Sequence, residues 1–301
     1  MRHHWFRTLA GGAAALLIIS AHAATSRAAA QSNERVAYVS AWDEKTRAPI
    51  SGLGKDAFVV REDGVRREVL RVTPATTPMP VAILVDNSQA ARSHIADVRR
   101  ALSVFVKALD GVGPVAIIGV ADRPTILRDY TPDQKQLEAG VGKLFAMPDS
   151  GATLLDAIVE TSTGLRRRED DRAAIVVLTT ENVEFSTRHY NDVLEKLAEG
   201  GAMLHAVVLN NPAASTLTDE ARNRAVVLDR GPKESGGTRT DVLASQAFEG
   251  KLKELAGWLT SQHRVIYSRP ESLIPPEKVE ILSAKTGMEA SGGPARGQKI
   301  R

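Results

Sequence analysis

The 301-residue chain is 43% hydrophobic and 25% charged, proportions ordinary for a globular protein and long enough to bury a sizeable core. It has no cysteine, which excludes disulfides, thiolate metal sites and a thiol nucleophile. The formal net charge is +3, and Arg2, Arg7 and Arg27 account for all of that excess, so the rest of the chain is balanced and bulk charge does not point to nucleic acid.

Residues 1–30 read as a secretory signal peptide. A basic start at Arg2 and Arg7 leads into the apolar run Leu9 to Ala21, and small residues follow with Ala21-His22-Ala23 and Ala28-Ala29-Ala30 as cleavage sites. Cleavage is expected after Ala30, with Ala23 as the alternative. The run is shorter than the roughly 20 apolar residues that span a bilayer, so no stable transmembrane segment is expected once the signal is removed. The expected location is the periplasm or the exterior.

Next comes a small N-terminal β unit at 33–75. Val36 to Trp42 alternates like a strand, and Ala57 to Arg61, the turn Glu62-Asp63-Gly64 and Val65 to Val72 form a hairpin pattern. Thr73 to Pro80 holds three prolines and reads as a linker.

From 79 to 270 the pattern becomes alternating strands and helices. The apolar strand Val81 to Val85 ends in Asp86. A helix over 92–109 carries Ile95, Val98, Leu102, Phe105, Val106 and Leu109 at helical spacing. Strands are predicted at Pro114 to Val120, Ile126 to Tyr130, Ala174 to Leu178, Met203 to Leu209, Ala225 to Leu228 and, as the closing strand, Arg264 to Tyr267. Helices are predicted at Gln134 to Phe145, from Thr153, at Asn191 to Ala198 and at Gln246 to Leu259. Such alternation implies an α/β fold with a doubly wound, mostly parallel, Rossmann-like sheet. Residues 271–301 are expected to supply one more strand, Val279 to Leu282, and a mobile tail from about Ser291.

In a sheet of this kind ligands bind beyond the carboxyl ends of the strands. Three segments converge there: Asp86-Asn87-Ser88-Gln89-Ala90, Gly151-Ala152-Thr153 and Thr179-Thr180-Glu181. The residues admit a plain reading too, in which Asp86 and Ser88 form a turn and Thr153 with Asp156 forms a capping box for the helix that follows.

The order of these motifs resembles the von Willebrand factor A domain. An apolar strand ends in Asp86-x-Ser88, a Gly-x-Thr precedes a helix, and a strand ends Leu178-Thr179. The segments Ile50-Ser51-Gly52-Leu53, Asp56 to Gly64, Ser235-Gly236-Gly237 and Ser261 to Tyr267 are similar to those of exported bacterial proteins of this family first recognised in acidobacteria, and the resemblance spans roughly 35–285. It implies a protein-interaction module rather than an enzyme, with a metal-ion-dependent adhesion site at which Mg²⁺ is held by oxygen ligands and a partner's carboxylate completes the shell. Asp86, Ser88 and Thr153 match that site. Ala90 stands where a second Ser is expected, Thr180 where an Asp is expected, and Glu181 where a Gly is expected. The implied site is therefore degenerate, with Glu181 as a candidate substitute ligand.

Other readings stay open on the sequence. One is a hydrolase using Ser88, or a metal-assisted one using Asp86 and Glu181, although no G-x-S-x-G elbow and no placed histidine base supports Ser88. The other is a structural component of an envelope assembly docking through 33–75. No G-x-G-x-x-G follows the first strand, so a dinucleotide site is not expected.

Overall fold

A computed structural model of the chain describes residues 34–211, 218–270 and 274–297. The expected signal peptide and its cleavage sites lie outside these residues. Among the described residues no helix is long and apolar enough to cross a membrane.

A six-stranded sheet forms the centre of the α/β region. Its strands are β5 (Val81–Asp86), β6 (Val115–Val120), β7 (Pro124–Thr131), β8 (Ala174–Thr180), β9 (Met203–Leu209) and β10 (Arg239–Val242), in the order β10-β9-β8-β5-β6-β7. Every neighbouring pair is parallel except β6 and β7. The strands read as unbroken apolar runs because both faces are covered and period-2 alternation divides their side chains between two cores. Val81, Ile83 and Val85 pack with α1 (Ile95–Ala108), α2 (Gln134–Gly142) and α6 (Ala247–Thr260). Leu84, with Ile175 and Val177 of β8, packs on the other side with α3 (Leu154–Arg166), α4 (Tyr190–Gly200) and α5 (Asp219–Ser235).

Several expectations change. Ala225 to Leu228 is not a strand but the middle of α5, a helix whose N-cap Thr218 accepts a hydrogen bond from the Ala221 amide. The helix read over Gln134 to Phe145 ends at Gly142. Arg264 to Tyr267, read as the closing strand, belongs to β11 (His263–Ser268) and pairs antiparallel with β1 (Glu34–Asp43) and β4 (Val69–Pro74), away from the six-stranded sheet.

The β layer draws on both ends of the chain. One antiparallel sheet has the order β13-β1-β11-β4, with β13 at Met288–Pro294, so the tail expected to be mobile from about Ser291 begins inside a strand. The other joins β2 (Phe58–Glu62), β3 (Val65–Arg67) and β12 (Val279–Ser283). Ala37, Val39, Phe58, Val60, Tyr267, Ile281 and Met288 share their apolar core. Trp42 of β1 stacks on Trp258 of α6 at 4.2 Å and ties this layer to the α/β region.

Candidate functional site

Parallel pairing sets Val85 beside Leu178, so the ends of β5 and β8 finish level and Asp86 faces Thr179 and Thr180. The Asp86 side chain is 4% exposed and is saturated by the protein's own donors. Its Oδ1 accepts from the Ser88 amide at 3.0 Å, closing the turn anticipated from the sequence. Its Oδ2 accepts from the Asn182 side-chain amide at 3.0 Å, the Thr179 hydroxyl at 3.2 Å and the Thr180 amide at 3.3 Å. The same Asn182 amide nitrogen donates to Ser88 Oγ at 3.0 Å.

Behind this group lies Arg224, carried in from α5 and buried. Its Nη1 donates to the Asn182 backbone oxygen at 2.9 Å and to Asn182 Oδ1 at 2.7 Å. Its Nη2 donates to the Thr180 carbonyl at 2.7 Å and to Thr179 Oγ1. Its Nε lies 3.7 Å from Glu184 Oε2. Burial pushes the Glu184 carboxyl above its ordinary range, and the Arg224 charge opposes that rise. Glu184 Oε1 also accepts from the Leu155 and Ser186 amides. Neither Arg224 nor Asn182 belongs to the motifs read from the sequence. The arginine lies more than 40 residues from the strand end it serves, and among the polar residues that open α5 nothing in the local pattern singles it out.

The other sequence-derived residues fall differently. Thr153 sits at the N-cap of α3, but its side chain makes no capping bond; Oγ1 donates to the Ala121 carbonyl at 2.8 Å. The capping-box reading therefore fails, and the open amides at Leu155 and Asp156 are taken by Glu184 and by Ser186 Oγ. Ala90 is exposed, one turn beyond Ser88. Glu181 turns away from the crevice: its Oε2 accepts from the Asn211 amide at 3.1 Å and its amide donates to the Leu209 carbonyl. It does not stand in for the missing carboxylate. Ser88 is fully buried. The imidazoles of His189, His205 and His263 engage Asn191, Thr238 and Leu53 respectively.

These residues do not fit Mg²⁺. A hard cation needs several oxygens with free lone pairs and gains affinity from anionic charge. Here an N–H donor points at both Asp86 and Ser88, a fixed guanidinium lies behind, and Asp86 is the one carboxylate of the matched set. Among the described residues no group of three or more acidic or histidine side chains is placed to hold a metal ion.

Two loops rise on either side of this crevice. The loop at 145–150 is fixed to Asn87, whose side chain donates to the Phe145 carbonyl and whose own carbonyl accepts from the Met147 amide. The loop at 181–186 is fixed to Ala152, which donates to Val183 and accepts from Phe185. The Phe185 ring packs on Gly151, where a Cβ would come within 2.4 Å of it. Residues 81–182, which contain Asp86, Ser88, Thr153 and Asn182, match the family model of the von Willebrand factor type A domain. These residues form a von Willebrand factor type A-like segment. Arg224 lies beyond the matched segment.

Solved structures similar to the chain include a von Willebrand factor type A protein from Catenulispora acidiphila, with 10% identity over 87% of this chain and 72% of that one and a TM-score of 0.48. BatB from Bacteroides thetaiotaomicron is 15% identical over 61% of this chain and 100% of that one, with a TM-score of 0.46. A D319A mutant of the PilB minor pilin from Streptococcus sanguinis is 11% identical over 62% of each chain, with a TM-score of 0.45. A comparison with curated proteins finds no match.

Proposed function

We propose that the chain is an exported protein-interaction module whose partner docks on the strand-end face of the A-type domain through apolar contacts. One observation carries this reading. Phe145, Met147, Val183 and Phe185, on the two loops that flank the crevice, are 61%, 50%, 58% and 54% exposed. Leu243, which follows β10 at the same end of the sheet, is 88% exposed. Scattered exposed apolar residues are ordinary on protein surfaces, but a group of them gathered on one face marks an interaction site. Large apolar and aromatic side chains of this kind are the usual anchors of protein interfaces.

Recognition at this face needs neither a cation nor catalysis. Asp86 and Ser88 hold the 181–186 loop through Asn182, and Thr153 ties the start of α3 to Ala121. Ser88 is sealed and accepts from an amide, which is the environment of a structural hydroxyl and not of an activated nucleophile. Export rests on the layout of residues 1–30.

The test is capture of partners from envelope extract by the mature protein and by a Val183→Asp/Phe185→Asp variant. A partner retained by the wild type and by an opposite-face control, Leu70→Asp, but lost by the double variant supports the reading. Equal retention by all three contradicts it. The N-terminus of the protein recovered from the envelope reports export in the same experiment: Gln31 or Ala24 supports it and Met1 contradicts it.

A further inference from the structure

We infer that Arg224 and Asn182 together take the place of the divalent cation at this adhesion-type site, so that the strand-end crevice is held in one closed-shell, metal-excluding state. Hydrogen-bond direction fixes the arrangement. A guanidinium has donors only. The side-chain atom of Asn182 that meets Arg224 Nη1 at 2.7 Å must therefore be its oxygen, and the amide nitrogen is forced toward Asp86 Oδ2 and Ser88 Oγ, both at 3.0 Å. Those are the oxygens that a cation at the matched motif would use. Turning Asn182 over to offer its oxygen to a metal would set its NH₂ against Nη1, donor against donor, at a buried position.

Charge leads to the same assignment. Asp86 is a lone carboxylate at the end of two apolar strands, and burying it needs a compensating positive group. Arg224 supplies one from α5. Its Nη2 donates to Thr179 Oγ1, and the Thr179 hydroxyl in turn donates to Asp86 Oδ2, so the guanidinium reaches the carboxylate through one hydroxyl. The remaining face of the guanidinium is balanced by Glu184, itself buried. Arg224 thus fixes Asn182, and Asn182 fixes Asp86 and Ser88. With every donor of Nη1 and Nη2 directed at the 179–182 loop, no charge is left to receive a partner's carboxylate at this point. The assignment uses the same crevice as the proposed docking face but does not depend on docking, since it concerns the floor and not the rim.

The test is titration of Mn²⁺ against the mature protein, read as loss of the free Mn²⁺ paramagnetic resonance signal. Wild type is expected to leave the signal unchanged. A folded Asn182→Asp/Arg224→Met variant, which adds a carboxylate and removes the fixed cation, is expected to lower it saturably at one ion per chain, with the loss abolished by a further Asp86→Ala. Saturable loss with wild type that Asp86→Ala removes overturns the inference, and so does a folded double variant that leaves the signal unchanged. Should the double variant not fold, wild type decides alone by NMR. Uniform spectra with and without Mn²⁺ at the Ser88 and Thr180 amides and the Asn182 side-chain amide support the inference. Selective broadening of those signals overturns it.

Discussion

At the scale of single residues, the polar groups buried in this protein are placed by partners far away in sequence. Arg224 serves a strand end that it meets only after α5 has packed against the sheet. His205, in the middle of β9, is an example with a measurable consequence. Its Nδ1 meets Thr238 Oγ1 at 3.0 Å, its Nε2 is buried without a partner, and burial brings its pKa from 6.5 down to about 4. The neutral ring is favoured in the folded protein. The unfolded chain takes up the proton as pH falls below 6.5 and the folded protein does not until about 4, so this contribution is complete above 6.5 and lost across that window. The full shift is worth about 3 kcal/mol. Urea denaturation of wild type and His205→Gln at pH 7 and pH 4.5 is expected to show the gap between them narrowing, or reversing, at the lower pH; a gap that does not change with pH contradicts it. Asp86, Ser88 and Thr153 were legible in the sequence because they lie on short motifs at strand and helix ends. Arg224 and Asn182 were not, because the bonds that give them meaning run between elements.

At the scale of elements, what could be read followed from local pattern. β5, β8 and β9 announce themselves because both of their faces are buried, so the apolar run is uninterrupted. Ala225 to Leu228 looks the same over four residues and is helical, because the Thr218 cap and the turns on either side of it outweigh the β preference of so short a run. Glu181, the nearest acid to the expected ligand position, is drawn off by the Asn211 amide at the end of β9. Helix α3 shows the same limit. Thr153 and Asp156 have the spacing of a capping box, but Thr153 is committed to the Ala121 carbonyl and Asp156 to Arg188. The cap is delivered instead by Ser186 and Glu184 from the loop after β8. Ser186→Ala is accordingly expected to lower stability by about 1 kcal/mol, the loss typical of a helix N-cap. Chemical denaturation checks this, and a variant as stable as wild type would remove the assignment.

At the scale of the whole molecule, the A-type domain and the β layer are built from interleaved stretches of chain. β1 lies between β11 and β13, and β2 is flanked by β3 and β12, so the strands at 34–74 complete their sheets only with residues from the other end. Arg296 adds a further tie by donating to the carbonyls of Leu165 and Gly200, at the ends of α3 and α4. Of the hairpin read over 57–72, β2 and β3 form the two arms, while Val69–Pro74 leaves them to pair with β11, and the distant partners could not be read, since register across more than 200 residues leaves no local mark. This construction leaves the strand-end face at the far end of β5 and β8 with its floor locked by the Arg224 network and its apolar rim open. The measurement that bears on this arrangement most directly is the affinity of the captured partner for the mature protein in Mg²⁺ and in EDTA. Equal dissociation constants in the two conditions, with loss of binding in the Val183→Asp/Phe185→Asp variant, are the predicted result. Binding in Mg²⁺ that EDTA releases, and that Asp86→Ala abolishes, would contradict it.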